Sequence, residues 1–232
     1  MNTVTEQKVG GKEATLVRLG GLAGLLMLGL YVAINFILTE GPPASGSPEE
    51  IKAYISNQAG AMAIANGLRY LALFCAAFIA VGLYTLTGRG APLTGNGWGI
   101  VGLLGAAALM ATGVVSNTIR TMAFLNLSNL SEQPEHFMLQ WNLSGVLFRV
   151  AQLFSGMMIA GFSIAGWQSA TIPKWLTAAG LLFAASGLLT AVCIAWTMTD
   201  SRAWYLLMWT RDILGLVWFL GASIQMLRRA SA

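Results

Sequence analysis

The chain has 232 residues, of which 56% are hydrophobic and only 9% are charged, and its formal net charge is +4 at pH 7. Soluble domains carry about 25% charged residues, so this composition excludes a water-soluble surface. The basic residues are too widely spaced to form a nucleic-acid-binding patch, and we therefore expect an integral membrane protein with lipids around it and no nucleic-acid partner.

Six apolar segments, each about long enough to cross the roughly 30 Å hydrocarbon layer of a bilayer, follow one another along the chain. They predict an all-α polytopic membrane protein, a six-transmembrane-helix bundle with short extracytoplasmic helical segments. The transmembrane domain covers residues 19–227, between cytoplasmic tails at residues 1–18 and 228–232. The predicted helices cover about residues 19–38, 61–86, 98–123, 141–167, 174–198 and 204–227.

The first apolar segment follows a polar, basic stretch, an order of features that a cleaved signal peptide also shows. A signal peptide has an apolar core of only about 7 to 15 residues, so we expect a retained helix instead. After this helix, Ser47-Pro48-Glu49-Glu50 has the form of a capping box with Pro at the first helical position. It predicts a short helix that lies on the bilayer surface or against the bundle.

The basic residues indicate the orientation of the helices. If the N-terminus is cytoplasmic, the cytoplasmic segments hold seven lysines and arginines and the opposite loops hold three. This excess favours an arrangement with both termini in the cytoplasm. Seven of the eight tryptophans lie near predicted helix ends, where aromatic rings reside at the headgroup level. The predicted location is a bacterial inner membrane.

Polar side chains are concentrated near the outer ends of the predicted helices. Arg69, Arg149 and Arg211 each lie about 17 to 19 residues from the cytoplasmic end of an even-numbered helix, roughly 25 to 29 Å away. They either extend to the outer headgroups or line a polar vestibule, which would favour an anion because arginines outnumber carboxylates. The candidate ligand-binding residues are Arg69, Arg120, Arg149, Arg211, Asp212, Asn66, Asn117, Asn142 and Gln152.

The sequence offers little support for catalysis. Gly161-Phe162-Ser163-Ile164-Ala165 loosely matches the elbow of serine hydrolases, but His136 is predicted on the other side of the bilayer and cannot act as its base. One histidine and two separated cysteines cannot assemble a metal or haem site. We therefore expect no catalytic residue, no metal and no cofactor, and we interpret the small residues as helix-packing positions.

The junction between the fourth and fifth predicted helices is Gly166-Trp167-Gln168-Ser169-Ala170-Thr171-Ile172-Pro173-Lys174-Trp175-Leu176. It resembles bacterial six-helix membrane proteins of the family of domain of unknown function 4386, which join these helices through a similar Pro, Lys or Arg, Trp, Leu sequence. The resemblance covers the last third of the chain. It implies an uncharacterised bacterial inner-membrane protein and brings no catalytic residues.

Three functions are compatible with these features. The leading hypothesis is a non-enzymatic bundle that binds or transports a small anionic or amphipathic ligand at its outer face, because of the arginine layer. The second is a structural or accessory subunit with a membrane-protein partner, because of the many small residues. The third is a lipid-modifying enzyme that uses Asp212 or His136.

Overall fold

The structure is a computed structural model, which describes residues 11–37, 47–88, 96–125, 134–192 and 202–231. Within these ranges the chain forms α-helices and no strands, which confirms the predicted all-α bundle. The helices are α1 (Gly11–Ile37), α2 (Pro48–Thr87), α3 (Gly97–Leu125), α4 (Pro134–Gln168), α5 (Lys174–Val192) and α6 (Arg202–Ser231).

Most of these helices can cross a bilayer. Five of those described, all except α5, are long and apolar enough to do so. The described part of α5 contains a shorter apolar stretch, Lys174–Thr190, and the predicted end of this helix near residue 198 lies outside the described residues. The chain is therefore a multi-pass membrane protein.

The helices pack in a ring that follows the chain order and closes between α1 and α6. Helix α2 also contacts α4 and α6, so it occupies the middle of the bundle. At one end of the bundle, α1, α3 and α5 end and α2, α4 and α6 begin. We call this the outer end, after the predicted orientation, and the opposite one the inner end.

Helix α2 begins at the predicted capping box. The Ser47 hydroxyl accepts a hydrogen bond from the Glu50 amide at 3.3 Å, and the Glu50 carboxylate accepts one from the Ser47 amide at 2.8 Å. The helix that starts here is not separate from the second transmembrane helix, because α2 continues unbroken to Thr87. Gly60 is the one glycine between the two predicted segments, and its cost of about 1 kcal/mol is too small to break a helix.

Glycines bring the helices into close contact in the third of the bundle nearest the inner end. A Cβ added at Gly20 of α1 would lie only 2.9 Å from the Cα of Gly82 on α2. A Cβ added at Gly161 of α4 would lie 2.8 Å from the Cα of Gly102 on α3. The fully buried Trp218 of α6 belongs to the same apolar core and would lie 2.6 Å, at its Nε1, from a Cβ added at Gly180 of α5. In lipid, such close packing is a main source of helix association.

A tight turn joins α4 to α5 at the inner end, where Pro173 was predicted to separate two helices. The amide of Thr171 donates to the carbonyl oxygen of Gly166 at 2.9 Å, which closes the turn after α4. Ala170 lies in the left-handed backbone region, with a φ of 52°. Helix α5 then starts directly after Pro173 and runs back along α4.

Candidate anion site at the outer end

The structure divides the predicted polar layer into three groups. The first, between α2, α3 and α4, contains Arg69 and Arg120 with Asn66, and we call it the Arg69–Arg120 group. The second lies between α4, α5 and α6 around Arg211, and the third lies between α1 and α6 around Asp212. The remaining predicted residues have different surroundings. Asn117 is buried one turn before Arg120, Gln152 is buried in the second group, Arg149 is half-buried on α4, and Asn142 is exposed on α4.

Two arginines from different helices lie within electrostatic range of each other in the Arg69–Arg120 group. Arg69 of α2 donates from Nη1 to Oδ1 of Asn66 at 2.7 Å, one turn earlier on the same helix. Arg120 of α3 donates from Nε to the hydroxyl of Ser144 on α4 at 3.4 Å. The two arginines are close enough to repel each other electrostatically, and the Tyr54 side chain lies within range of both. Like charges are thus held together inside the bundle.

Aromatic side chains hold Arg120 in position. Its guanidinium carbon lies 4.5 Å from the centre of the Trp141 ring, a cation–π contact. Trp141 in turn contacts Tyr54 edge to face at 6.5 Å between ring centres and stacks on Phe137 at 6.2 Å. The charge of Arg120 therefore lies on an aromatic surface that α2 and α4 build together.

The Arg69–Arg120 group is rich in donors and poor in acceptors. The partners that the structure describes for the two arginines are neutral: an amide, a hydroxyl, a phenol and an aromatic ring. Asn66 is only 2% exposed, and its Nδ2 has no hydrogen-bond partner. Guanidinium and amide N–H groups can only donate, so the chemical group that would satisfy all of them is an oxyanion.

Hydrogen bonds between helices fix the walls of this group. The hydroxyls of Tyr70 on α2 and Thr118 on α3 lie 3.0 Å apart. The Ser116 hydroxyl of α3 donates to the backbone carbonyl of Ser144 on α4 at 2.8 Å. The three helices are therefore tied together beside the arginines, and the donors are positioned before any ligand binds, which lowers the entropic cost of binding.

Arg211 belongs to a separate and more enclosed group. Its side chain is 3% exposed, so it points into the bundle and not toward headgroups. It donates from Nη2 to the Ser155 hydroxyl of α4 at 3.1 Å and lies over the Phe183 ring of α5, 4.7 Å from its centre. The Nε of Arg211 and the Oε1 of the buried Gln152 have no hydrogen-bond partner. Its hydrogen bond and its cation–π contact thus connect it to α4 and α5.

Asp212, the carboxylate predicted to accompany the arginines, faces α1. Its carboxylate lies near the Tyr31 side chain and interacts electrostatically with that side chain and with its neighbour Arg211. The structure describes no contact between Asp212 and Arg69 or Arg120. Among the described residues, no group of three His, Cys, Asp or Glu side chains could hold a metal ion.

Sequence reasoning missed the neutral members of the Arg69–Arg120 group. Tyr54 was assigned to a surface helix, Trp141 to the membrane interface, and Ser144 was not considered. Neutral residues stand out in a sequence only when their neighbours in space are known. The one signal in the sequence is position, since Trp141 and Ser144 come shortly before Arg149 at the same polar end of α4.

No family model, curated protein or solved structure matches this chain. Its class is therefore defined by its own architecture: an all-α, multi-pass membrane protein with a half-buried, cationic, donor-rich group between three helices near one end.

Proposed function

We propose that this protein binds an oxyanion, the phosphate or carboxylate group of a small anionic or amphipathic ligand, between α2, α3 and α4 at the outer end. The observation that carries the proposal is that Arg69 lies within electrostatic range of Arg120 and bonds to Asn66, whose buried Nδ2 has no hydrogen-bond partner. An oxyanion bridging the two guanidiniums would remove their repulsion. Each charge-assisted hydrogen bond contributes about 1.5 to 3 kcal/mol.

The packing of the inner end favours binding over transport. The backbones of α1 and α2 touch at Gly20 and Gly82, and those of α3 and α4 touch at Gly102 and Gly161. A ligand held at the outer end would have to separate these contacts to move further between the helices. The proposal is therefore a binding protein with a closed inner third.

The proposal includes the location of the site. The excess of lysine and arginine in the predicted cytoplasmic segments supports cytoplasmic termini, and the resemblance of the Gly166–Leu176 junction supports a bacterial inner membrane. The Arg69–Arg120 group would then face the periplasm. C-terminal fusions to green fluorescent protein and to alkaline phosphatase test this orientation, because the first fluoresces only in the cytoplasm and the second is active only outside. An active phosphatase fusion would mean that the C-terminus lies outside the cytoplasm, and the proposed orientation would then be wrong.

Binding can be measured on the purified protein in phosphatidylcholine nanodiscs. One arm adds inorganic phosphate, and a second replaces part of the lipid with phosphatidic acid, so that a free anion and a lipid headgroup are distinguished. We expect thermal stabilisation of the wild type in at least one arm. Arg69→Gln and Arg120→Gln should each weaken the binding at least tenfold. Arg120→Lys should weaken it less, because it keeps the charge and loses the planar fork.

The matched control is Arg228→Gln, which removes the same charge from an exposed position at the inner end. It should leave the affinity unchanged. If Arg228→Gln lowers anion affinity as much as Arg69→Gln does, binding is nonspecific attraction to net charge. If neither Arg69→Gln nor Arg120→Gln alters it, the Arg69–Arg120 group is not the site.

A further inference from the structure

A cleft whose chemical character is opposite to that of the Arg69–Arg120 group lies between α1 and α6. It has a volume of about 330 Å³, within the range of small-molecule sites. Its walls are mostly apolar and include Phe36, Trp209 and Ile213, whereas Tyr31, Asn35 and Asp212 supply its polar groups. None of these residues belongs to the Arg69–Arg120 group.

The polar groups of this cleft leave hydrogen-bond acceptors available. The Tyr31 hydroxyl lies near Asp212, where it would use at most one acceptor position, and Nδ2 of Asn35 donates to the Tyr31 backbone carbonyl at 2.8 Å. The adjacent Arg211 balances the carboxylate charge, but its Nη2 donates in the other direction, to Ser155. A carboxylate offers about four lone-pair positions on two oxygens, and one hydroxyl occupies only one of them.

The position of the cleft in the bundle indicates what could approach it. Phe36, Trp209 and Ile213 are 82%, 67% and 55% exposed, and on a membrane-spanning bundle such surfaces face lipid. Asp212 is only three residues inside the apolar span Trp209–Ser231. An aspartate inside the membrane costs up to about 2.5 to 3.5 kcal/mol, so a partner that donates hydrogen bonds to it and brings an apolar body would stabilise it.

We propose that this cleft binds a single-chain amphiphile whose polar end, a hydroxyl or an ammonium group, donates hydrogen bonds to Asp212. The alkyl chain lies against Phe36, Trp209 and Ile213. The chemistry is complementary to that of the Arg69–Arg120 group, because this cleft offers acceptors where the other offers donors. The proposal stands on the geometry of α1 and α6 and does not depend on anion binding elsewhere.

Fluorescence of Trp209 tests the proposal, because bromine atoms on a nearby alkyl chain quench tryptophan. The full-length protein in phosphatidylcholine nanodiscs receives small amounts of a brominated alkylamine, alcohol or fatty acid of equal chain length. The signal is the quenching that Trp209→Phe removes, which separates Trp209 from the other tryptophans. We expect the amine, the alcohol or both to quench this component at no more than a tenth of the fatty-acid concentration.

Two variants make the outcome decisive. Asp212→Asn should abolish the preference for the donor probes, and Val32→Phe should reduce quenching by all probes because it fills the cleft from its exposed α1 wall. Thermal melts confirm that each variant is folded. Equal quenching by the fatty acid, an unchanged preference in Asp212→Asn or undiminished quenching in Val32→Phe would each overturn the proposal.

Discussion

The glycines that hold two helix backbones together lie toward the inner end, and several glycines of the outer half have no such contact. Near the inner end, glycines such as Gly82 and Gly161 lie against the backbone of a neighbouring helix. In the outer half, a Cβ added at Gly29, Gly67 or Gly145 would meet nothing within 4 Å. Close backbone contact therefore stabilises the inner end, whereas at these outer positions glycine is not required by packing.

Hydrogen bonding follows the same division. Among the described residues, five buried side-chain atoms lack a hydrogen-bond partner, and four of them belong to the outer half: atoms of Asn66, Gln140, Gln152 and Arg211. Natural proteins leave few such atoms, and their concentration at one end requires an explanation. A bundle that is closely packed at one end can retain unsatisfied polar groups at the other, where a ligand can use them.

The largest effect should come from a single methyl group placed at the inner end. In Gly161→Ala, the new Cβ would lie 2.8 Å from both the Gly102 Cα and the Trp98 carbonyl oxygen, and a backbone cannot move aside cheaply. We expect a loss of about 3 kcal/mol in the free energy of unfolding, measured by reversible unfolding in mixed micelles.

Gly145→Ala is the matched control on the same helix. Its Cβ meets open space, so this change should stabilise α4 by up to about 1 kcal/mol through helix propensity. Similar losses at the two positions would contradict the contrast between the ends.

A carboxylate introduced at the outer end should raise the stability of the protein and lower its affinity for anions. Asn66→Asp replaces the neutral amide that Arg69 contacts with a charged acceptor. Hydrogen bonds to charged groups contribute more than neutral ones, so we expect a gain of about 1 kcal/mol in the ligand-free protein. The new carboxylate would pair with the Arg69 guanidinium in place of the ligand, so the anion affinity should fall at least tenfold. Thermal melts with and without phosphate measure both effects.

Asn142→Asp provides the same chemical change at an exposed position of α4, and it should leave the anion affinity unchanged. If Asn66→Asp binds the anion as well as the wild type does, the guanidinium of Arg69 is not the recognition element.

The polar contact at the inner end should have a modest, measurable energy. The indole of Trp218 donates to the Ser163 hydroxyl at 2.8 Å, and both side chains are fully buried. A double-mutant cycle of Ser163→Ala and Trp218→Phe should give a coupling of about 0.6 kcal/mol and no more than about 1.7, as for other hydrogen bonds inside membrane proteins. A coupling near zero would show that this hydrogen bond does not stabilise the inner end.

Several of these features could be predicted from sequence because they depend on local or compositional signals. The six apolar segments and the capping box at Ser47 are of this kind. The arginines were placed in one layer by counting residues along each helix, which gives depth but not direction. Successive residues of a helix point about 100° apart, so residues at a similar depth can face the bundle or the lipid. Asn66 is buried and Asn142 is exposed for this reason.

Contacts between distant segments could not be predicted. The pairing of Tyr31 with Asp212 joins α1 to α6 across nearly the whole chain, and it follows from the closure of the helix ring. The contact of Arg120 with Trp141 likewise requires that α3 and α4 pack in one particular register. Sequence periodicity in a bundle surrounded by lipid is a weak guide to register, because buried and lipid-facing residues are both apolar.

The smallest predicted effect concerns the turn at the inner end, where good packing coexists with a strained backbone. Ala170 has a φ of 52°, a region that costs an L-residue about 1 to 2 kcal/mol and glycine nearly nothing. Glycine loses more entropy on folding, so the net gain expected for Ala170→Gly is about 0.5 kcal/mol. Ala178→Gly, within α5, should instead lose about 1 kcal/mol. Opposite signs in unfolding experiments would confirm that the α4–α5 turn, unlike the helices it joins, is not optimised for stability.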